Sequence, residues 1–508
     1  MSTRKILFKN TIASFLSQFL LLGLGIITTP YVVHKLGDSE YGIISIVMIF
    51  IGYLSFLDLG IGWAIIKFVA EYKAHDSRDE IKKIVQTSLS VFLAGGLFVI
   101  IIIFLTGEYL VLDVFSIPEH LQKVSMIAFQ LASIGFLVNM LASIYGSVLN
   151  GYQRFDITNS IRVIYGILNI SGTVLLLYSG FGLLQVIIWN FLIAIFNFIL
   201  LYLTTKKIDS NITLKPVFNK DTFNKIFSFS LYTLVSKIGL QLIYNIEKSF
   251  ISAFLPIKML TYYIIPFNIA SKITLVPTTL GSVIYPTFST FNAGKEYGKL
   301  QDLFFRTQKY IFFSVFPMVF VLGFFAAEIL RYWLGEKYSQ EGTMPMRVLL
   351  CAFLLNSITS EDAILFDGIG KPKIGAIIVT VSGVVNIVAS YFFVRLWGIN
   401  GGSFAILLSF VICGSGLMFY SKKFTGISIF KRITTTFLPV AGISIILMPL
   451  LYYLSRFING LFSLFIVLSL CFLILYSFLF MLFFSKKERN ELINSAVGSF
   501  KIKNFNRA

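Results

Sequence analysis

From residue 10 onward the chain is a succession of apolar runs, each about 20 residues or longer, divided by short polar interruptions. Runs of that length match the hydrocarbon thickness of a bilayer, and a backbone crossing lipid must satisfy its own hydrogen bonds by coiling into helices. About fourteen membrane helices are predicted, near 10–33, 41–66, 84–106, 122–149, 157–179, 183–204, 223–254, 261–290, 304–327, 344–366, 373–396, 401–420, 433–454 and 460–484. The connections are short, so no soluble domain is inserted. The pattern predicts an all-α polytopic membrane protein whose termini share one side, because the number of crossings is even.

A second periodicity lies over the first. LNGYQRFDITNSIRVIYGILNI (149–170) aligns with FDGIGKPKIGAIIVTVSGVVNI (366–387) at a constant offset. Gly151 falls on Gly368, Arg154 on Lys371, Ile157 on Ile374, Gly166 on Gly383 and Asn169 on Asn386. At a similar offset Tyr41 falls on Tyr262, and Leu59-Gly60 on Leu280-Gly281. The expected organisation is two parallel, pseudo-symmetric six-helix bundles, 1–205 and 206–421, followed by an extra helix pair and basic tail, 422–508. Parallel repeats of this kind build transporters that rock one half against the other, whereas a channel more naturally surrounds a pore as a symmetric oligomer.

Composition agrees. Hydrophobic residues make up 56% of the chain and charged residues 13%, with a mean hydropathy of +0.84; soluble domains carry roughly 25% charge. The net charge of +18 gathers in short clusters between apolar runs, without basic tails interleaved with aromatics, which argues against nucleic acid. Lys73, Arg78, Lys82, Lys83, Lys206, Lys207, Lys422 and Lys423 fall in alternate loops that become cytoplasmic if the N-terminus is inside. The positive-inside rule therefore predicts N-in, C-in. The opening MSTRKILFKNT leads into a run too long for a signal peptide and reads as a retained first helix. Cys351, Cys413 and Cys471 stand singly in apolar runs, and the three histidines are scattered, so neither a disulfide framework nor a metal site is expected. GIGKPK (368–373) has the wrong spacing for a phosphate-cradling loop. No hydrolase motif or catalytic carboxylate pair appears, and the chain is read as a non-enzyme without a cofactor.

Polar residues inside the spans carry the functional signal, because lipid does not tolerate them. In SKIGLQLIYNIEKSF (236–250), Lys237, Gln241, Asn245 and Lys248 fall within a sector of about 80° on a helical wheel. This stripe must face protein or a watery cavity. Lys248 has a second reading, snorkelling to the outer interface, and Glu247 could pair with Lys272 to tie two helices. The next helix adds Lys272 and Asn268 one turn apart, with Pro266, Pro277 and Pro286 as kink points. Asp58 is either a proton or cation relay or a buried acid paired to another helix. Glu361 and Asp362 suit ion coupling, a structural pairing or a gate. Lys67 and Arg162 stand near the inner mouth. The sum is cationic, which favours an anionic cargo over a cationic drug.

TPYVVHKLGDSEYGIISI (29–46), FLDLGIGWAIIKFVAEY (56–72), LNGYQRFDI and its echo FDGIGKPKI together resemble the polysaccharide-exporting branch of the multidrug/oligosaccharidyl-lipid/polysaccharide (MOP) superfamily, in the style of Wzx-type O-antigen or capsule repeat-unit flippases. The resemblance covers the whole chain. It implies alternating-access transport of an undecaprenyl-pyrophosphate-linked oligosaccharide from the cytoplasmic to the outer leaflet of the bacterial inner membrane. It further implies contact with membrane lipids, with a polysaccharide polymerase as a candidate partner. Lys237 and Lys272 become the candidates for the pyrophosphate. Proton or sodium coupling occurs in some relatives, and Asp58 is where it would fall here. The first helix offers only Ser17 and Gln18 in place of the acid found in many drug exporters. A cation-coupled drug antiporter of the same fold and a non-transporting scaffold for polysaccharide assembly remain the competing readings.

Overall fold

The computed structural model describes residues 3–54, 58, 60–486 and 488–490; the side chains of residues 3–19, 74, 229–237, 282–283 and 286 are likewise outside the described residues. The described chain is helical: α1 (Thr3–Leu36), α2 (Asp38–Leu54), α3 (Ile61–Ala74), α4 (Arg78–Tyr109), α5 (Glu119–Gly151), α6 (Phe155–Tyr178), α7 (Leu183–Ile208), α8 (Lys220–Phe254), α9 (Ile257–Ser271), α10 (Leu275–Ala293), α11 (Tyr297–Phe324), α12 (Ala326–Leu334), α13 (Glu336–Gly368), α14 (Pro372–Thr425), α15 (Ile429–Arg432), α16 (Leu438–Ile446), α17 (Met448–Ser455) and α18 (Leu461–Phe483). Among the described residues, ten helical segments are long and apolar enough to cross a membrane, or eleven if the bent pair α1–α2 counts as one. Large apolar side chains stand fully outside, such as Leu105, Ile446 and Phe462. A surface of that kind is solvated by lipid.

Several predicted spans are broken rather than continuous. The α1–α2 pair bends by 119° across Gly37, whose φ of 80° suits a residue without Cβ. The predicted helix 41–66 holds two described helices, α2 ending at Leu54 and α3 opening after Gly60, whose φ is 72°. The predicted helix 261–290 changes to a 3-10 turn at Lys272–Thr274 between α9 and α10. The predicted helix 433–454 is a π-turn, Ile433–Phe437, followed by α16 and α17, each opening on a proline.

The helix α14 runs through two predicted spans, 373–396 and 401–420, and the backbone breaks between them as expected. Its 54 residues would span roughly 80 Å if straight, far beyond the ~30 Å of a hydrocarbon core. Backbone angles leave the helical region at Trp397 and Gly398. A Cβ on Gly401 would lie 1.8 Å from the Phe393 carbonyl oxygen, so the chain doubles back tightly there. One long apolar run thus contains two spans.

The chain forms two compact units. The first comprises the described residues up to Ile264 together with Gly383–Gly402; the second comprises Ile265–Ser382 and the described residues from Ser403 on. Within the first, a Cβ on Gly151 would meet the Val69 side chain and the Ile66 carbonyl. Within the second, a Cβ on Gly368 would meet the Phe288 side chain and the Tyr285 carbonyl. Gly166 packs on Leu21, and Gly383 on Leu242, both inside the first unit. In the second unit, Val440, Leu451, Leu464, Cys471 and Leu475 are buried with Phe312, Val321 and Ile358. This apolar core fastens the C-terminal helices to α11 and α13.

Candidate functional site

The polar stripe of α8 is built into a network in the first unit. Gln241 and Asn245, one turn apart, hydrogen-bond each other, and Gly52 on α2 approaches both, since a Cβ there would sit 3.6 Å from Asn245 Nδ2. The Tyr53 and Ser249 hydroxyls are 2.9 Å apart. Lys248 does not snorkel: its side chain is only 4% exposed. Its ammonium donates to the Tyr244 carbonyl and, at 3.0 Å, to Asn245 Oδ1, with Glu247 Oε1 at 4.0 Å. Glu247 is fully buried and accepts from the Tyr263 hydroxyl at 3.3 Å and from Asn386 Nδ2 at 3.5 Å. Asn386 also donates to the Leu242 and Ile243 carbonyls at 3.1 and 3.0 Å, tying α14 to α8. A buried charge pair held by this many hydrogen bonds is costly to break from one side only. The side chain of Lys237 lies outside the described residues.

Asp58 is half-buried in the break between α2 and α3. A Cβ on Gly62 would stand 3.9 Å from its Oδ1 and 3.2 Å from the Ser147 hydroxyl of α5. Lys67 is exposed on α3, its ammonium 4.8 Å from the Phe68 ring centre. Lys225 approaches the same ring at 4.8 Å and donates to the Tyr72 hydroxyl at 2.6 Å. Arg162 is exposed on α6. In the second unit Lys272 and Asn268 are both exposed, one turn apart, within the membrane-length stretch Ile257–Gly281.

The second unit also contains a buried charge cluster whose extent sequence reasoning missed. Asp362 accepts two hydrogen bonds from Arg432 at 2.9 and 3.0 Å, and neither side chain is exposed. Arg432 also donates to the Ser421 hydroxyl at 2.9 Å and lies 4.8 Å from the Phe304 ring centre. Beside this pair, Glu361 is buried, and among the described residues neither of its carboxylate oxygens has a hydrogen-bond partner. The nearby Thr307 hydroxyl donates to the Leu303 carbonyl at 2.8 Å instead. The side-chain polar atoms of Gln308, Ser357 and Thr436 are also buried without partners. Arg432 reads in sequence as one more loop cation. The signal that could have found it is the acid pair itself, since two carboxylates inside a span demand a cation.

Ten or more lipid-length helices, an apolar exterior and buried charge inside it define a multi-pass membrane protein, and its fold is that of the MOP transporters. It superposes on a lipid II flippase MurJ in an inward closed conformation with a TM-score of 0.70, at 16% identity, covering 93% of this chain and 99% of the other. An inward-facing multidrug resistance MATE family transporter of the MOP superfamily gives 0.71 at 14% identity, covering 82% and 98%. A Shigella flexneri protein named "Putative O-antigen transporter" is 22% identical over 404 residues, 78% of this chain and 93% of its own. A polysaccharide biosynthesis protein family model matches residues 36–341, and the chain belongs to that family.

Proposed function

We propose that the protein is an alternating-access flippase that moves an undecaprenyl-pyrophosphate-linked oligosaccharide from the cytoplasmic to the outer leaflet of a bacterial plasma membrane. The observation that carries this reading is the exposed Lys272–Asn268 face inside a membrane-length helix. A cation exposed at that position cannot face hydrocarbon and instead suits a water-filled path for an anionic headgroup. In this reading Lys272 and Asn268 are the second unit's contacts to the pyrophosphate, Lys237, Gln241 and Asn245 are the first unit's own polar candidates for it, and Lys67 and Arg162 attract it at the inner mouth. Lys248 contributes positive charge from behind the wall through its network.

Fourteen crossings, N-in and C-in, with halves 1–205 and 206–421 and an added pair in 422–508, complete the proposal. The matched packing of Gly151 on Val69 and Gly368 on Phe288 supports the duplication. Coupling to protons or sodium falls on the acids Asp58, Glu361 and Asp362. Asp362 and Glu361 against Arg432 leave one excess negative charge in a buried site, which one proton or monovalent cation would neutralise.

A flipping assay with labelled lipid-linked oligosaccharide in proteoliposomes tests the reading. Wild-type protein is expected to expose the label to an external quencher, and Lys272→Ala to slow this at least tenfold. No flipping by wild-type protein, with cationic-dye efflux in its place, would establish the antiporter reading. Neither activity, together with retained binding to assembly proteins, would establish the scaffold.

A further inference from the structure

The first unit contains a cavity of about 180 Å³ among α2, α5, α6 and α7, and among the described residues no charged side chain lines it. Most of its wall is apolar, from residues such as Met48, Ile187 and Phe191. Three carboxamides nevertheless point into it from three helices: Asn139 on α5, Asn169 on α6 and Asn190 on α7, with the Tyr165 phenol beside them. Asn169, Asn190 and Tyr165 are half-buried, and none of the four polar groups hydrogen-bonds another described residue. Half-buried amides in a membrane helix bundle are normally paired, because an unpaired one forfeits its hydrogen bonds.

The internal repeat shows what a structural asparagine does at the matching position. Asn386, the counterpart of Asn169, is fully buried and donates to two backbone carbonyls of α8. Asn169 has no such partner. One copy ties helices together, and the other leaves its amide open to the cavity.

Each carboxamide offers two donors and an acceptor, a set that matches hydroxyl groups on adjacent ring carbons. Tyr165 and Phe191 add flat aromatic faces for the C–H side of a ring. A described lining without charge favours an uncharged ligand over a phosphate or a carboxylate, whose desolvation carboxamides and a phenol do little to offset. A cavity of roughly 150 Å³ holds a benzene ring, so the size suits one six-membered sugar.

We infer that this cavity is a subsite for an uncharged sugar ring of the cargo, with Asn139, Asn169 and Asn190 as its hydrogen-bonding residues and Tyr165 as its stacking platform. The inference rests on the flippase reading and adds a place where the glycan, rather than the pyrophosphate, is held. Its test measures binding of full-length protein in nanodiscs to two probes: the lipid-linked oligosaccharide, and undecaprenyl pyrophosphate without sugar. Asn169→Ala and Asn190→Ala should each weaken the first about 5-fold, and the double variant more than tenfold, with the second unchanged. Tyr165→Phe should retain stacking and bind the first within about twofold of wild type. Met48→Trp, which fills the cavity without removing a polar group, should also weaken only the sugar-bearing probe. Equal losses on both probes, or no loss on either, would overturn the subsite. Failure of wild-type protein to bind either probe would instead overturn the flippase reading.

Discussion

Arg432 shows how much a single side chain can hold in a chain of this composition. Removing it leaves Asp362 charged and alone beside Glu361, and breaking a buried pair from one side costs about 3–5 kcal/mol. Arg432→Met should therefore lower the thermal unfolding midpoint in detergent by many degrees, and Arg432→Met with Asp362→Leu should recover most of the loss. Glu361→Gln removes the excess charge; it should unfold at a higher temperature than wild type while losing any stimulation of flipping by a proton or sodium gradient. Outside the membrane, Glu488 receives Lys309 at 2.9 Å and the Ser485 amide at 2.8 Å. Partial burial pushes its carboxyl up, but these donors outweigh burial and hold it below the ordinary 4.5. A depressed folded value means the contribution is present above pH 4.5 and fades as pH falls through that lower value. With both groups partly exposed it amounts to about 0.5–1 kcal/mol. The protection factors of amides near Glu488, taken relative to intrinsic exchange at each pH, should fall a few-fold between pH 5 and pH 3, and Glu488→Gln should remove that dependence. The acids at 361 and 362 were legible as unusual in the sequence. Their partner was not, because its depth is set by the π-turn after α15 and by the Phe304 ring, neither of which leaves a trace in hydropathy.

At the scale of elements, the long apolar helices were readable, as was the break at Trp397–Gly398, but the breaks inside other runs were not. Hydropathy records how long a segment stays apolar, and a kink leaves that average unchanged. The breaks at Gly60 and at Lys272–Thr274 therefore sit inside runs that read as single helices. Glycines mark some of the turns, and their neighbours decide what each can tolerate. A Cβ on Gly401 meets backbone at 1.8 Å, whereas one on Gly166 meets the tip of the Leu21 side chain at 2.4 Å. Backbone at the Gly401 turn cannot move aside without opening the return of α14, but a leucine can change rotamer. Gly401→Ala is expected to abolish folded protein on size-exclusion chromatography, while Gly166→Ala yields monodisperse protein with a slightly lower unfolding midpoint. Alanine tolerated equally at both positions would refute this view of the turn.

For the whole molecule, membrane class, family and candidate cargo were all reachable from runs, charges and motifs, whereas the cavity among α2, α5, α6 and α7 was not. Asn139 and Asn190 are two of several uncharged polar residues in their helices, beside Gln130 and Asn197 for example, and nothing along the chain singles them out or brings them together. The buried pair joining α13 to α15 also has a consequence in time. Asp362 and Arg432 are 70 residues apart, which at ordinary elongation speeds is roughly 4–14 seconds of synthesis. During that interval the partner of the acid has not yet been made. The nascent second unit must wait, through protonation or through the insertion machinery, for its last helices before it can close. A chain stalled or truncated before residue 429 would carry an unanswered charge in its core, a defect that membrane quality control can recognise long before transport is ever attempted.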